Sequence, residues 1–508
     1  MSERQSRWTE SADVVVVGCG FAGAVAAIAA RDAGASVLVV EKMPDAGGIS
    51  VCSFGGVRTA KSAAAALTYL RRTNADTAPD GVLKVLARGM VDLPRQIAAL
   101  ARGVGARPVL RPSPANYPFP GNRTFGFVNI EEIDGFDPAS AYPHVRGAPG
   151  GAMMFQMLER NLALRGIEVR TRMPVRRLIA DATGRICGVI VRRGRGETAI
   201  RVRRAVVLTC GGFEASPDMQ RQFWVERPVL NAAFRGNTGD GIRMAQQAGA
   251  DLWHMWHYHG SYGFAHTDPG YPFGIRTKRL PDWQPGQKLR GDVRMPWILL
   301  DRRGRRFVNE YDPYLQDTGA RAFTRYDPMA QDYAATPAWL IADSVGARLY
   351  PFGRPTWNER GVGYEWSADN TREIALGILK RAGDMAALAR GTGIAMPALQ
   401  DAVRRWNAQC RDGRDADWGR PPTSMMPIRK PPFVYGCVWP IVSNTQGGPV
   451  HDARQRVLRP DGTPIPGLYA AGELGSVFGH LYMSGGNIAE CFVGGRIAGR
   501  EAARTPAA

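Results

Sequence analysis

Gly18-Cys19-Gly20-Phe21-Ala22-Gly23 carries a spacing suited to holding a pyrophosphate against backbone N–H groups. In such a run Gly18 permits a tight turn, Gly20 lets the chain approach the phosphates, and Gly23 lets a helix pack closely on a strand. Phe21 and Ala22 complete the motif ahead of a helix whose N-terminal N–H groups and partial positive charge favour phosphate. Glu41 stands where an acid can accept hydrogen bonds from ribose hydroxyls, and Lys42 joins it in the expected cofactor-binding set.

Downstream of the acid, the expected set continues through Gly47, Gly48, Ser50, Ser53, Gly55 and Gly56, two glycine pairs whose backbone can lie against a bulky flat group. Gly211-Gly212-Phe213 is a further strand-to-glycine turn, and Asn237-Thr238-Gly239-Asp240-Gly241 is expected to cap a helix, with Asp240 also assigned to the cofactor. Near the C-terminus, Gly472 and Glu473 end a strand, and Gly485-Gly486-Asn487-Ile488 opens a last helix. A helix N-terminus there would favour the negative charge of a reduced flavin pyrimidine, with Asn487 and Ile488 beside it. A nicotinamide-only fold lacks this second segment, so the set implies FAD.

The elements that must position these residues are legible around them. Asp13 to Val17 reads as a buried parallel strand, Ala24 to Ala33 as an alanine-rich helix, and Ser36 to Val40 as a second strand. Gly150 to Asn161 reads as a helix, and Ile186 to Val191, Thr198 to Val202 and Ala205 to Thr209 as separate strands. At 508 residues two or three domains are expected. The expected fold is α/β: a Rossmann-like FAD-binding domain of the glutathione-reductase type over 1–272 and 427–508, with an inserted α+β substrate-capping domain over 273–426, where Pro, Trp and Tyr increase.

Composition narrows the partners. The net charge of +19 has no accompanying nucleic-acid motif, which argues against nucleic acid and leaves peripheral membrane contact open. Seven cysteines without a CxxC pair suit a reduced, cytoplasmic protein and argue against a flavin disulfide reductase. The N-terminus leads directly into a strand, so no secretory signal is expected. His254, His257 and His259 lie among Trp253, Trp256 and Tyr258 with no further ligands at a recognisable spacing, so an aromatic wall is expected rather than a metal.

Together these motifs, with Gly304 to Glu310, resemble the fumarate reductase and 3-ketosteroid dehydrogenase family of flavoproteins over nearly the whole chain. The departures matter for the substrate. Soluble fumarate reductases carry a catalytic arginine at the fourth residue after the glutamate matching Glu310, and here that residue is Tyr314. Phe478 and Tyr482 stand where those enzymes clamp a dicarboxylate with histidine and arginine. Ile49 stands where covalently flavinylated members have histidine, so non-covalent FAD is implied.

Asn309-Glu310-Tyr311-Asp312-Pro313-Tyr314, and Tyr482 followed by Gly486, are instead similar to 3-ketosteroid Δ1-dehydrogenases; Tyr117 with Pro120-Gly121 matches more loosely. Met483 to Asn487 is closer to fumarate reductases and to Δ4-(5α)-dehydrogenases. The resemblance implies α,β-dehydrogenation of a small hydrophobic cyclic ketone, with electrons passed to an external acceptor. Tyr314 would take the α-proton with Tyr117 as its partner, because a free phenol has a pKa of about 10 and needs nearby donors to act as a base. Tyr482 O–H and Gly486 N–H would stabilise the enolate oxygen. The alternatives are an ene-reductase, a Δ4-(5α)-ketosteroid dehydrogenase, or a redox-inactive flavin-binding partner of another subunit.

Overall fold

The computed structural model describes residues 8–143, 149–278, 294–311, 318–354 and 356–507. The chain packs as two compact units. The first comprises Met1–Met219, Phe234–Tyr258 and Asn444–Ala508; the second comprises Gln220–Ala233 and His259–Ser443. The divisions follow strand pairing. Most of Phe433–Thr445 pairs within the second unit, so its sheet extends well past the composition change near Pro427.

In the first unit, β1 (Trp8–Val17), β2 (Val37–Val40), β3 (Glu168–Arg170), β4 (Gly196–Leu208) and β5 (Pro464–Ala470) form a parallel sheet in the order β5-β4-β1-β2-β3. Its inner strands are runs of Val, Leu and Ala buried on both faces, as parallel sheets covered by helices require. β4 is one strand, although its sequence reads as two. Arg203 and Arg204 interrupt the apolar pattern at a register shift against β1, where one extra residue is accommodated. Arg203 turns outward to bond Asp13 at 2.8 Å, so a polar pair sits in the strand without ending it.

Helix α1 (Phe21–Asp32) follows β1, beginning three residues earlier than its alanine run suggests. The final helix, α2 (Gly486–Arg504), packs along it through small residues. A side chain at Gly495 or Gly499 would strike the backbone of Ala22 or Ala26, so the two helices approach at backbone distance. A three-stranded antiparallel sheet orders Val57–Ala60, Phe125–Ile133 and Ala106–Pro112.

The second unit is built on a mixed sheet in which Phe433–Thr445 runs antiparallel to Ala338–Ala342 and Leu379–Ala382 and parallel to Leu230–Asn231. One core contains Tyr262, Phe264, Trp297, Phe323 and Phe352; another packs Leu388, Leu399, Trp406 and Ile428 beneath the helices Met385–Thr392 and Met396–Asp412. Two guanidinium groups lie against the Trp406 ring, Arg306 at 4.5 Å and Arg420 at 4.8 Å from its centre. Glu310 is fully buried there, bonded to Arg306 at 2.7 Å and to the Leu299 N–H at 3.0 Å, with Arg420 at 3.5 Å. Asp415 completes the cluster on Arg306 at 3.1 Å. Glu310 is thus a structural ion. Among the described residues no helix is long and apolar enough to cross a membrane.

Candidate active site and cofactor cradle

The turn between β1 and α1 has the expected form. Gly18 has φ of 96°, and a Cβ there would lie 2.6 Å from the Thr209 carbonyl oxygen. A Cβ on Gly23 would fall on the carbonyl of Gly18, which is the close helix–strand approach its position requires. Gly20 is the extended N-cap residue of α1, with no side-chain cap. The Phe21 N–H donates to Ser50 Oγ at 3.0 Å, while Ala22 and Gly23 lie buried in the same first turn. Gly47, Gly48 and Ser50 belong to the short helical turn Gly48–Val51 and its N-cap; the Ser53 hydroxyl accepts the Gly55 N–H at 3.1 Å. Gly55 meets the backbone of Gly150, and Gly56 faces the Phe127 ring.

Glu41 is buried at the end of β2, with its two oxygens accepting the N–H groups of Cys19 at 2.9 Å and Met43 at 2.8 Å. Burial raises its pKa, while those donors and Lys42 pull it down. Lys42 itself pairs with Asp240 at 2.7 Å and bonds Thr238 Oγ1 at 2.7 Å, so these two expected cofactor residues are joined to each other. Asp240 starts the helix Asp240–Gln247, capped by Gly239 in the left-handed conformation. Asn237, expected at that cap, does other work. Its amide donates to Glu214 at 2.7 Å and to Glu473 at 3.2 Å, bridging two buried carboxyls.

Gly211 and Gly212 make room for this bridge, since a Cβ on Gly212 would overlap Thr445 Oγ1 and one on Gly211 would sit 2.6 Å from Asn237. Burial and the neighbouring Glu473 charge raise the Glu214 pKa, and burial raises that of Glu473. Gly472, with φ of 85°, turns the chain from β5 to bring Glu473 inward. At the start of α2, Asn487 donates to Glu490 at 2.9 Å, to the Ser476 hydroxyl at 3.0 Å and to Gln446 at 3.0 Å; Ile488 beside it is half-buried. Glu490 also takes the Val477 N–H at 2.7 Å, and burial pushes its pKa up to about 8.

Tyr482 and Gly486 flank the turn into α2. Tyr482 is 5 % exposed, its ring lies edge-on to Phe478 with centroids 5.5 Å apart, and its hydroxyl oxygen accepts the Gly485 N–H at 3.2 Å. The Gly486 N–H donates to the Met483 carbonyl at 2.7 Å. This N–H, expected to face an enolate oxygen, closes the turn into α2. Tyr117 is buried, stacked on Phe119, with its N–H donating to the Tyr69 hydroxyl at 3.1 Å. Tyr314 lies outside the described residues.

Several residues of this region escaped sequence reasoning. Arg58 is buried with its guanidinium 3.6 Å from the Phe127 ring centre, donating to the carbonyls of Ser484 at 2.8 Å and Ser113 at 3.0 Å. Glu214, Thr445 and Glu490 were also missed; only Glu490, one helical turn past Gly486-Asn487, gave a local signal. His254 and His257 direct ring nitrogens at backbone carbonyls, Trp253 is stacked on His254, and Trp256 meets the same ring edge-on at 5.7 Å. Among the described residues no group of His, Cys, Asp or Glu is arranged to hold a metal ion.

A parallel sheet with a glycine turn, an acid closing the second strand and a helix N-terminus returning from the far end of the chain defines an FAD-dependent oxidoreductase. Residues 13–488 match the FAD binding domain family, and the chain belongs to it. It is similar to urocanate reductase of Eggerthella lenta, at 27% identity over 97% of this chain and 75% of that protein. It is equally similar to 3-oxosteroid 1-dehydrogenase of Mycobacterium tuberculosis, at 27% identity over 96% of this chain and 97% of that one. Among solved structures, 3-ketosteroid delta1-dehydrogenase from Sterolibacterium denitrificans in complex with 1,4-androstadiene-3,17-dione shares the fold, with a TM-score of 0.79, 24% identity and coverage of 98% and 100%. The protein is thus a flavin-dependent dehydrogenase or reductase with FAD as cofactor.

Proposed function

We propose that the protein dehydrogenates a cyclic ketone, a 3-ketosteroid or a simpler cyclohexanone, at the bond α,β to the carbonyl. The observation that carries this reading is Tyr482: a buried hydroxyl beside Phe478 on the turn into α2, where a dicarboxylate-binding relative would carry charge. A C–H next to a carbonyl loses its proton readily only if charge on the carbonyl oxygen is stabilised. The Tyr482 O–H donates to that oxygen, and the Gly485 N–H that donates into the phenol oxygen makes it a stronger donor. With the Gly486 N–H held by Met483, this stabilisation falls on Tyr482 alone.

Tyr314 takes the α-proton, with Tyr117 as the phenol that helps it do so. Bound FAD supplies a hydride acceptor for the β carbon, and an external acceptor reoxidises it. Glu41 and the Gly18–Gly23 turn hold the nucleotide end. Similarity to a 3-oxosteroid 1-dehydrogenase along nearly the full length of both chains supports the same substrate class.

The test is anaerobic titration of the yellow protein with 3-ketosteroids and cyclohexanones. A saturated ketone is expected to bleach the flavin, Tyr314→Phe to abolish bleaching, and Tyr482→Phe to slow it by about 10²- to 10³-fold. A second reading, reduction of a carboxylate-bearing alkene, is favoured by Arg276. Its guanidinium bonds Ser443 Oγ at 2.6 Å and meets no carboxylate among the described residues; burial and then the nearby Arg354 push its pKa down to about 10. Reoxidation of reduced flavin by such alkenes, lost in Arg276→Met, with no bleaching by any ketone, would replace the first reading.

A further inference from the structure

The segment 475–479, just before Tyr482, presents five consecutive carbonyl groups, and each meets a different side-chain nitrogen. His451 Nε2 lies 3.0 Å from the Gly475 oxygen, and His254 Nδ1 lies 2.6 Å from that of Ser476. Asn74 donates to Val477 at 2.7 Å, His257 Nδ1 meets Phe478, and the Trp256 indole donates to Gly479 at 3.2 Å. An irregular segment buried beside a site needs partners for its backbone, yet five in succession from three separate stretches of chain is an unusual density.

His254 stands at the centre. Its second ring nitrogen lies 2.8 Å from the Thr77 carbonyl, so the ring sits between the turn after the helix Ala63–Asn74 and the 475–479 segment, and as the neutral imidazole that burial favours it donates to one of the two carbonyls. It does so from a left-handed backbone, φ 55°, which is strained for a non-glycine residue and persists only where the surroundings enforce it. Gly479 makes the approach possible, since a Cβ there would fall on the His254 ring. The mechanical link onward is Phe478. Its carbonyl is held by His257, its ring lies edge-on to Tyr482, and its ring tip lies where a Cβ on Gly486 would sit.

We propose that this row of side chains is a positioning clamp that fixes the Tyr482 hydroxyl through Phe478, with His254 as its central positioning residue. The clamp rests on the reading of Tyr482 as the donor to the ketone oxygen. His254 touches no reacting atom; it sets where the phenol stands. An enolate donor displaced by about 1 Å loses most of its effect on the transition state while still binding the ground state, so rate falls more than affinity.

The experiment uses the FAD-loaded full chain with 3-fluorotyrosine at position 482, read by fluorine NMR, and anaerobic flavin reduction by 4-androstene-3,17-dione. His254→Ala is expected to move or broaden the 482 resonance and to slow reduction at saturating steroid by about tenfold or more, with half-saturation changed far less. Trp256→Phe, at a side chain 60% exposed, removes one indole donor without threatening folding and is expected to shift the resonance in the same direction by less. Tyr482→Phe combined with His254→Ala is expected to be no slower than Tyr482→Phe alone. Unmoved fluorine lines in both variants, or losses that multiply in the double variant, overturn the clamp. Moved lines with no reduction of the unmodified enzyme by any ketone keep the clamp and remove the ketone reading.

Discussion

Two buried acid clusters, one in each unit, are held on opposite terms. In the first unit Glu473 and Glu490 accept from neutral donors: the Thr445 and Val477 N–H groups, Asn237, Ser476 and Asn487. Neither is paired with a cation among the described residues. In the second unit Glu310 and Asp415 face Arg306 and Arg420 around the Trp406 indole. Neutral donors leave a carboxyl able to hold a proton, and burial raises both pKa values in the first cluster. In the second cluster the Arg306 guanidinium acts the other way, and the Asp415 pKa is lowered despite its burial. The first cluster adjoins the cofactor elements and the second supports a core, which is how one chain buries acids for two purposes.

The comparison breaks most readily at Arg420, which is completely buried and also donates to the Trp297 carbonyl at 2.7 Å. Arg420→Met leaves Glu310 short of a cation and is expected to cost about 3–5 kcal/mol. Denaturant unfolding with hydrogen exchange across 295–310 and 415–425 measures it, and a loss under about 1 kcal/mol would show the cluster to be dispensable. A smaller effect is expected on pH dependence. The folded pKa of Glu490 is raised from 4.5 to about 8, so its contribution is fully present below the lower value and lost as pH rises through the upper one. The thermal midpoint should therefore fall over that interval, and Glu490→Gln should flatten the fall; an unaltered slope would assign it to other groups. The smallest effect is expected at Lys42, whose pairing with Asp240 is partly exposed. Lys42→Met should change stability by less than about 1 kcal/mol, and a larger loss in thermal melts would mean that this pair behaves like the buried ones.

How much was legible in the sequence follows from the range of each signal. The Gly18–Gly23 turn, Glu41 and the segment around Gly472 and Gly485 could be read because glycine spacing and a strand-ending acid are local requirements of the backbone. Arg203-Arg204 looked like a strand break because a register shift between strands leaves no trace in one strand's own pattern. Glu310 showed nothing of its buried pairing in the sequence, because its partner Arg420 lies 110 positions away. The histidines showed their type and spacing but not their targets, because the direction of a carbonyl in a distant loop is set only by tertiary packing.

The close seating of Gly495 and Gly499 on Ala22 and Ala26 ties the opening of the chain to its final helix, and β5 fills a place in the sheet beside β4. Contacts separated by more than 450 positions carry a large loop-closure entropy and form late. A chain emerging from the ribosome therefore carries its phosphate turn long before the helix that seats against it exists. Until then the alanine face of α1 is exposed as an unsealed seam, which makes the order of synthesis a hazard for aggregation.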